Sequence, residues 1–186
     1  MSSKFEFIAG SLSLDFVDTL GGRGAVAIEK LNDHEAFRQW LQAAGLEVSG
    51  NQQMSGVDLD CAIALREAIY RAAQAAMSGS SPARGDVAKI NAAAMEPPLR
   101  PQLVDGGVRN VAQAPLRAAL STIAADAIAV LGQRKRLCEC QDCRMLFIDK
   151  SRAGRRRWCS SSTGCGNRAK VRNHRKRRDS QSLAGE

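Results

Sequence analysis

Five of the chain's six cysteines lie close together, and their spacing is the strongest chemical signal in the sequence. They are Cys138, Cys140, Cys143, Cys159 and Cys165. Structural zinc is held in a tetrahedron by four soft ligands, usually supplied as two pairs of cysteine thiolates about 15–20 residues apart. Cys159 and Cys165 form the second pair. The spacing therefore predicts a structural zinc site with Zn²⁺ as its cofactor.

The first pair is ambiguous. Cys140-x₂-Cys143 is the tighter knuckle, but Cys138-x₄-Cys143 also lies within the usual spacing. Spacing alone favours Cys140 as the partner of Cys143, but it leaves Cys138 as the alternative. The alternatives to a metal site are free cysteines on a loop or disulfide partners.

Nothing in this cluster predicts an enzyme. A catalytic zinc keeps an open coordination position and needs a general base nearby, whereas four thiolates close the shell. The only glutamate inside the cluster is Glu139. We therefore predict no catalytic residues.

The cysteines adjoin the strongest positive charge in the chain. Residues 134–178 hold 16 Lys or Arg against 3 Asp or Glu, a net charge of +13. Residues 1–133 hold 11 Lys or Arg against 14 Asp or Glu, a net charge of −3. This asymmetry predicts two domains with different functions. It also predicts that the partner of the second, basic domain is a polyanion.

The basic residues would contact nucleic acid. We predict that Asn167 caps a helix beginning at Arg168, with Arg175 sharing one face with Arg168 and Arg172. Arginine and asparagine are suited to reading base edges. The predicted contacts are Arg155, Arg156, Arg157, Arg168, Lys170, Arg172, Asn173 and Arg175.

The elements before the cysteines form an α+β body. We predict a strand in FEFIAG and a helix capped by Ser11 or Ser13 that runs to Leu20 and is ended by Gly21 and Gly22, with a strand over LSLDFV as the alternative. GGRG (21–24) is predicted to be a turn rather than a phosphate loop. Asn32 is the predicted cap of the next helix, and a loop is predicted at 49–56. Helices follow over 57–77 and from Asp86, a hairpin turns at 105–107, and a helix begins at Pro115.

The fold class predicted is α+β. A mostly helical N-terminal domain with a small β-sheet spans 1–133, and a small zinc-finger domain with a basic C-terminal helix spans 134–186. Phe37, Trp40 and Leu41 should pack inward. Asp15 and Asp18 should face solvent or cap turns, and Cys61 should be a small buried hydrophobe.

Membrane insertion and secretion are not expected. No run of about 18 apolar residues is present, and the N-terminus lacks a basic segment followed by an apolar one. We expect a cytoplasmic protein, nucleoid-associated if it binds DNA, in which the thiols stay reduced.

WC…CGNRAKVRNHRKRR, preceded by C…CRMLFIDKSR, resembles the CGNR-type zinc finger of bacterial proteins. SLSLDFVDTLGGR, FRQWLQAAGL and LREAIYRA resemble the ABATE domain that usually precedes it. Together the two parts cover nearly the whole chain. The resemblance implies that Cys138 and Cys143 form the first ligand pair, beside Cys159 and Cys165. Cys140 is an extra thiol and remains the alternative to Cys138.

The resemblance implies a stress-linked DNA-binding transcription regulator. Double-stranded DNA is the expected partner, with a homodimer and a small-molecule or protein effector of the N-terminal domain as further candidates. The alternatives are a protein-interaction adaptor and an RNA-binding protein that use the same basic finger.

Overall fold

The computed structural model describes residues 5–46, 55–133, 136–160, 162 and 164–183, with side chains up to residue 175. About half of the chain is helical, and the strands form three two-stranded antiparallel sheets within the described residues. The predicted α+β class is therefore confirmed. Most of the loop predicted at 49–56 lies outside the described residues.

The elements follow one another in a simple order. The helices are α1 (Leu12–Val17), α2 (His34–Ala43), α3 (Gly56–Met77), α4 (Arg84–Ala94), α5 (Pro115–Gln133) and α6 (Cys165–Leu183). The strands are β1 (Leu20–Gly21), β2 (Ile28–Glu29), β3 (Arg100–Val104), β4 (Gly107–Val111), β5 (Leu137–Glu139) and β6 (Leu146–Ile148).

Apolar stripes on the helices build the core of the N-terminal domain. Phe37, Trp40 and Leu41 of α2 are buried as predicted. Phe16 of α1 lies beside Trp40, with ring centroids 5.0 Å apart. These side chains share one apolar cluster with residues of α3 and α5 such as Ile123, so local helical periodicity is enough to identify the core.

Three local predictions for the N-terminal segment are wrong. Residues 5–10 form no strand. The helix capped by Ser11 ends at Val17, because β1 begins at Leu20 and pairs with β2. Asp33, not Asn32, caps α2 by accepting the backbone N–H of Ala36.

The glycine-rich stretch at 21–24 is the turn of the β1–β2 hairpin. Gly22 has φ +66°, and a Cβ there would lie 2.3 Å from the Val26 carbonyl oxygen, so only glycine fits. Gly24 touches the cysteine-rich segment, since a Cβ on it would lie 2.6 Å from Cγ of Arg144. The stretch is therefore a tight turn against the finger.

The β3–β4 hairpin and α5 lie where the sequence predicts them. Asp105 and Gly106 connect Val104 to Gly107, and Pro115 is the first residue of α5. Among the described helices, α5 alone is long and apolar enough to cross a membrane, at 19 residues and a mean hydropathy of 1.3. A core helix passes the same test, and α5 buries residues such as Ala119 and Ala124 in the common core.

The β5–β6 hairpin joins the cysteine-rich segment to the N-terminal domain. Leu146 is buried in the main core, and Ile148 packs against it, whereas Phe147 between them lies against the cysteines. This division follows from the two-residue period of a strand. Two backbone N–H groups of β6 secure the contact: Leu146 N–H donates to the side-chain Oδ1 of Asp18 (3.1 Å) and Ile148 N–H to the Ala9 carbonyl (2.7 Å).

A buried arginine ties α3 to the β1–β2 hairpin. Only 2% of the Arg66 side chain is exposed, and its guanidinium binds both carboxylate oxygens of Glu29 at 2.7 Å. It also donates to Glu67 and to the Thr19 hydroxyl. Glu67 in turn accepts two hydrogen bonds from Arg23. The domain thus holds a charged network that hydrophobic periodicity does not reveal.

Two further predictions for single side chains are wrong. Asp15 and Asp18 are buried, so the solvent-facing alternative is wrong, although Asp18 is the C-cap residue of α1; their carboxylates accept the backbone N–H groups of Ala9 and Leu146. Cys61 is exposed rather than buried, because it lies on the outer face of α3. The burial of both aspartates depends on segments distant in sequence, which a local pattern cannot show.

The burial of Asp15 predicts a pH effect on stability. Burial raises the pKa of Asp15 to about 6 from 3.8. The folded state then holds a proton that the unfolded state has lost between pH 4 and 6, so stability falls as pH rises through this window, by about 3 kcal/mol in all. Asp15→Asn removes this loss and can still accept the N–H of Ala9. Urea unfolding of the zinc-loaded protein should show the variant gaining stability relative to wild type between pH 4 and 7.

Asp60→Asn, at an exposed carboxyl of α3, controls for the change in net charge. A difference between Asp15→Asn and wild type that stayed constant with pH would contradict this account of Asp15.

Candidate metal centre and basic surface

A tight turn after β5 aims the first two sulfurs at one point. Cys140 N–H donates to the Met145 carbonyl (2.8 Å), and Arg144 N–H donates to the Cys140 carbonyl (3.0 Å). Arg144 has φ +63°, the left-handed conformation that closes the turn. Cys140 and Cys143 thus lie at the two ends of a knuckle of the kind that binds zinc.

The second pair reaches the same point from the other side. Cys159 lies in the loop before α6, and Cys165 is the first residue of that helix. The helix therefore begins three residues earlier than predicted, and Asn167 lies in its first turn rather than at its cap. Trp158 packs on this first turn, within 3.9 Å of the Cβ position of Gly166, and helps to fix the helix.

The four sulfurs have the spacing of a tetrahedral thiolate site. The ligand atoms of Cys140, Cys143, Cys159 and Cys165 all lie within 4.8 Å of one another. The Cys143 and Cys159 sulfurs are 3.5 Å apart, and those of Cys159 and Cys165 are 3.8 Å apart. A Zn–S bond of about 2.3 Å in a regular tetrahedron gives about 3.8 Å between sulfurs. The donor set and its size therefore fit a structural metal ion.

Crowding and local charge both favour a bound cation. Hydrogen bonding to Cys159 and then burial raise the pKa of Cys143, so a bare cluster disfavours thiolates. A divalent cation removes this penalty, because it binds the deprotonated sulfur. Arg168 donates to Sγ of Cys165 at 3.2 Å, and the helix N-terminus at Cys165 also favours negative charge. Positive charge beside the cysteines thus stabilises the thiolates.

Cys138 is not part of this cluster, which departs from the expectation based on the family resemblance. It lies in β5 directly opposite Phe147. Residues two apart in a strand share a face but lie about 6.6 Å apart, so Cys138 sits one step behind Cys140. Its thiol packs beside the cluster instead of joining it. The structure thus brings Cys140 rather than Cys138 to the other three sulfurs, and the ligand assignment stays a prediction.

All three carboxylates of residues 134–178 are engaged. Glu139 lies on the opposite face of β5 from the cysteines, where it accepts from Tyr70 (3.2 Å) and pairs with Arg144 (2.8 Å). The backbone N–H of Arg156 and the Ser151 hydroxyl lower the pKa of Asp149 to about 2. Asp142 pairs with Arg168 and Arg172. Because the three acids are already bonded within this segment and face 16 Lys or Arg, most of the positive charge is left without an acidic partner from the same segment.

Asp142 binds two of the predicted contact residues. Its carboxylate lies 2.5 Å from guanidinium nitrogens of both Arg168 and Arg172, and the hydrogen bond from Arg168 is the main cause that lowers the pKa of Asp142. Arg168 and Arg172 do share a face of α6, but this face turns toward the knuckle. The i, i+4 spacing predicts the shared face. The identity of its partner, 26 and 30 residues upstream of the two arginines, depends on the fold.

The other predicted contact residues lie at the surface. Arg155, Arg157, Lys170, Asn173 and Arg175 are exposed. Arg156 is half-buried, with its guanidinium 4.8 Å above the Phe147 ring and a hydrogen bond to Ser160. Arg157 stacks on Trp158 at 4.6 Å. These five exposed residues, Arg155, Arg157, Lys170, Asn173 and Arg175, lie in the loop before α6 and on the helix itself, and we call them the basic surface.

Comparison with protein families matches both parts of the chain. Residues 10–134 match the ABATE model, described as "Putative stress-induced transcription regulator". Residues 134–178 match the CGNR zinc finger model. The chain belongs to the ABATE family and carries a CGNR zinc finger. The comparison with curated proteins gave no match.

Membership of the ABATE family agrees with the resemblance that the sequence carries. Both matched families are of regulator or zinc-finger type rather than enzymes. The four clustered cysteines lie within the CGNR match, as expected of a metal site. Sequence reasoning missed Asp142, although a carboxylate between two knuckle cysteines was a visible signal for a partner of the following arginines.

Proposed function

We propose that this ABATE-family protein is a transcription regulator that binds double-stranded DNA through its CGNR finger. Zn²⁺ bound by Cys140, Cys143, Cys159 and Cys165 would fix the knuckle and α6, and the basic surface would contact DNA phosphates. The protein would act in the cytoplasm, at the nucleoid. A homodimer and an effector of the N-terminal domain are compatible with this role.

The observation that carries the proposal is the high positive charge of a segment whose own carboxylates are already bonded. The segment 134–178 has a net charge of +13, and its three carboxylates are bound internally. Exposed arginines in a rigid arrangement repel one another, and phosphates relieve that repulsion while releasing counterions from DNA. The N-terminal domain, at −3 over residues 1–133, offers no comparable attraction.

The first test compares classes of polyanion. Fluorescence anisotropy would measure binding of the zinc-loaded full chain to a duplex DNA, to duplex RNA of the same sequence and to polyglutamate. We expect the duplex DNA to bind tightest at about physiological salt. Preference for RNA would support the RNA-binding alternative, and preference for polyglutamate would support an adaptor for acidic proteins.

Neutralising the loop arginines should weaken DNA binding in a salt-dependent way. Arg155→Gln with Arg157→Gln removes two exposed charges before α6. Each phosphate contact contributes about 0.9 to the slope of log K against log salt, so the slope should fall by about 2. Anisotropy titrations from low to physiological salt would measure it.

The matched control is Arg100→Gln with Arg109→Gln, two exposed arginines of the β3–β4 hairpin. This control should leave the slope unchanged. Equal slopes for both double variants would show that the protein binds DNA by net charge alone, contrary to the proposal.

A further inference from the structure

The side of α6 that faces the metal centre is fully occupied. Cys165 and Ala169 are buried against the cluster, and Asp142 binds Arg168 and Arg172 along the edge of the same side. Each of these two arginine side chains is about half exposed, with its charged end held by Asp142. They hold the helix in place and can still touch phosphate, but they do not point away from the finger.

The opposite side of α6 carries a different set of residues. Successive residues of a helix are turned by about 100°, so Asn167, Lys170, Val171 and His174 lie on the side away from Cys165 and Ala169. All four are exposed, and Val171 is 51% exposed. We define these four residues as the outer face of α6.

The chemistry of the outer face differs from that of a phosphate-binding surface. An amide, an amine, an imidazole and an apolar side chain stand in the first three turns of the helix. Asparagine can pair with adenine, lysine with guanine, and an apolar group with the thymine methyl in the major groove. Val171 adds an apolar group beside these polar side chains, of the kind that can contact the thymine methyl.

We propose that the outer face of α6 enters the major groove of duplex DNA and that Asn167 and Lys170 determine its sequence preference. This inference rests on the proposed function. An α-helix fits the major groove of B-DNA, which is about 12 Å wide, whereas the major groove of duplex RNA is too narrow for side-chain reading. Arg157 and Arg175 would flank the helix and contact the phosphates on either side. Asp142 is then a positioning residue that aims the helix.

Selection from a randomised duplex DNA pool tests this assignment. The zinc-loaded wild type, the variant Asn167→Ala with Lys170→Ala, and the variant Arg155→Gln with Arg157→Gln would be compared by sequencing the bound fraction. The two replaced outer-face side chains are exposed, and zinc content with circular dichroism would establish that the finger still folds. We expect the wild type to enrich a motif.

The two variants should differ in the property of binding that they lose: sequence preference in the outer-face variant and affinity in the loop variant. The outer-face variant should lose about tenfold or more of the preference at one or two base positions. The loop variant should bind more weakly but select the unchanged motif, because phosphate contacts carry no sequence information.

Three results would overturn the assignment, and they are distinguishable. An unchanged motif in the outer-face variant would show that other residues read the bases, while DNA binding would stand. Binding by the wild type without any enriched motif would show phosphate attraction alone. No retention of duplex DNA by the wild type would remove the proposed function itself.

Discussion

Replacing Cys140 by serine should abolish stoichiometric zinc binding, whereas replacing Cys138 by serine should leave one zinc per chain. This contrast is the largest effect that we expect, because the four sulfurs within 4.8 Å of one another include Cys140 and exclude Cys138. Structural zinc supplies about 10–16 kcal/mol of apparent binding free energy in small fingers. The loss of one thiolate should therefore unfold the knuckle and the start of α6.

The consequences should extend beyond the finger. Leu146 lies in the main core, so a disordered knuckle also loosens the contact between β6 and α1. Zinc content by elemental analysis and thermal unfolding would be measured on both variants. Cys138→Ser is the matched control, since it removes a thiol from the same hairpin. Loss of zinc from Cys138→Ser with retention in Cys140→Ser would restore the ligand set that the family resemblance implies.

Replacing Arg66 by alanine should destabilise the N-terminal domain by about 3 kcal/mol, in the range for a buried ion pair that loses one partner. The guanidinium is 2% exposed and binds Glu29 and Glu67 together. Without it, Glu29 keeps no cationic partner among the described residues, and Thr19 loses its charged donor. Urea unfolding of zinc-saturated protein would measure the loss.

The control for Arg66 is an arginine whose ion pair lies at the surface. Arg117 of α5 pairs with Glu96, and 71% and 39% of the two side chains are exposed, so Arg117→Ala should cost less than about 1 kcal/mol. Equal losses for the two variants would show that the network around Arg66 adds nothing beyond a surface ion pair.

The sequence predicts those features that depend on neighbouring residues. The stripe of Phe37, Trp40 and Leu41, the hairpin turn at 105–107 and the convergence of two cysteine pairs all follow from local spacing. In each case the period or the turn chemistry is contained in a few consecutive residues.

Features that depend on distant contacts are not contained in such patterns. Asp18 is buried because Leu146, 128 positions away, donates a backbone N–H to it. Arg168 and Arg172 are turned inward because Asp142 lies beside them in the fold. The choice between Cys138 and Cys140 depends on where β5 ends and the knuckle begins. Each of these outcomes is decided by the packing of the finger rather than by residue spacing.

The docking of the finger also links it to the polar network of the N-terminal domain. Glu139 lies between two cysteines and accepts from Tyr70 of α3, and the Arg23 guanidinium lies 4.0 Å above the Tyr70 ring. Arg23 in turn joins Glu67 and hence the network of Arg66. A contiguous set of polar contacts therefore connects the core of the ABATE domain to the strand that carries the first cysteines.

The most direct test of the central claim is an amide-resolved NMR titration of the zinc-loaded full chain with duplex DNA. We predict that shift changes concentrate at residues 155–157 and 166–175, with the β3–β4 hairpin at 100–111 unaffected. Changes confined to the N-terminal domain, with the finger silent, would contradict the account, because DNA would then bind a body that lacks the basic surface.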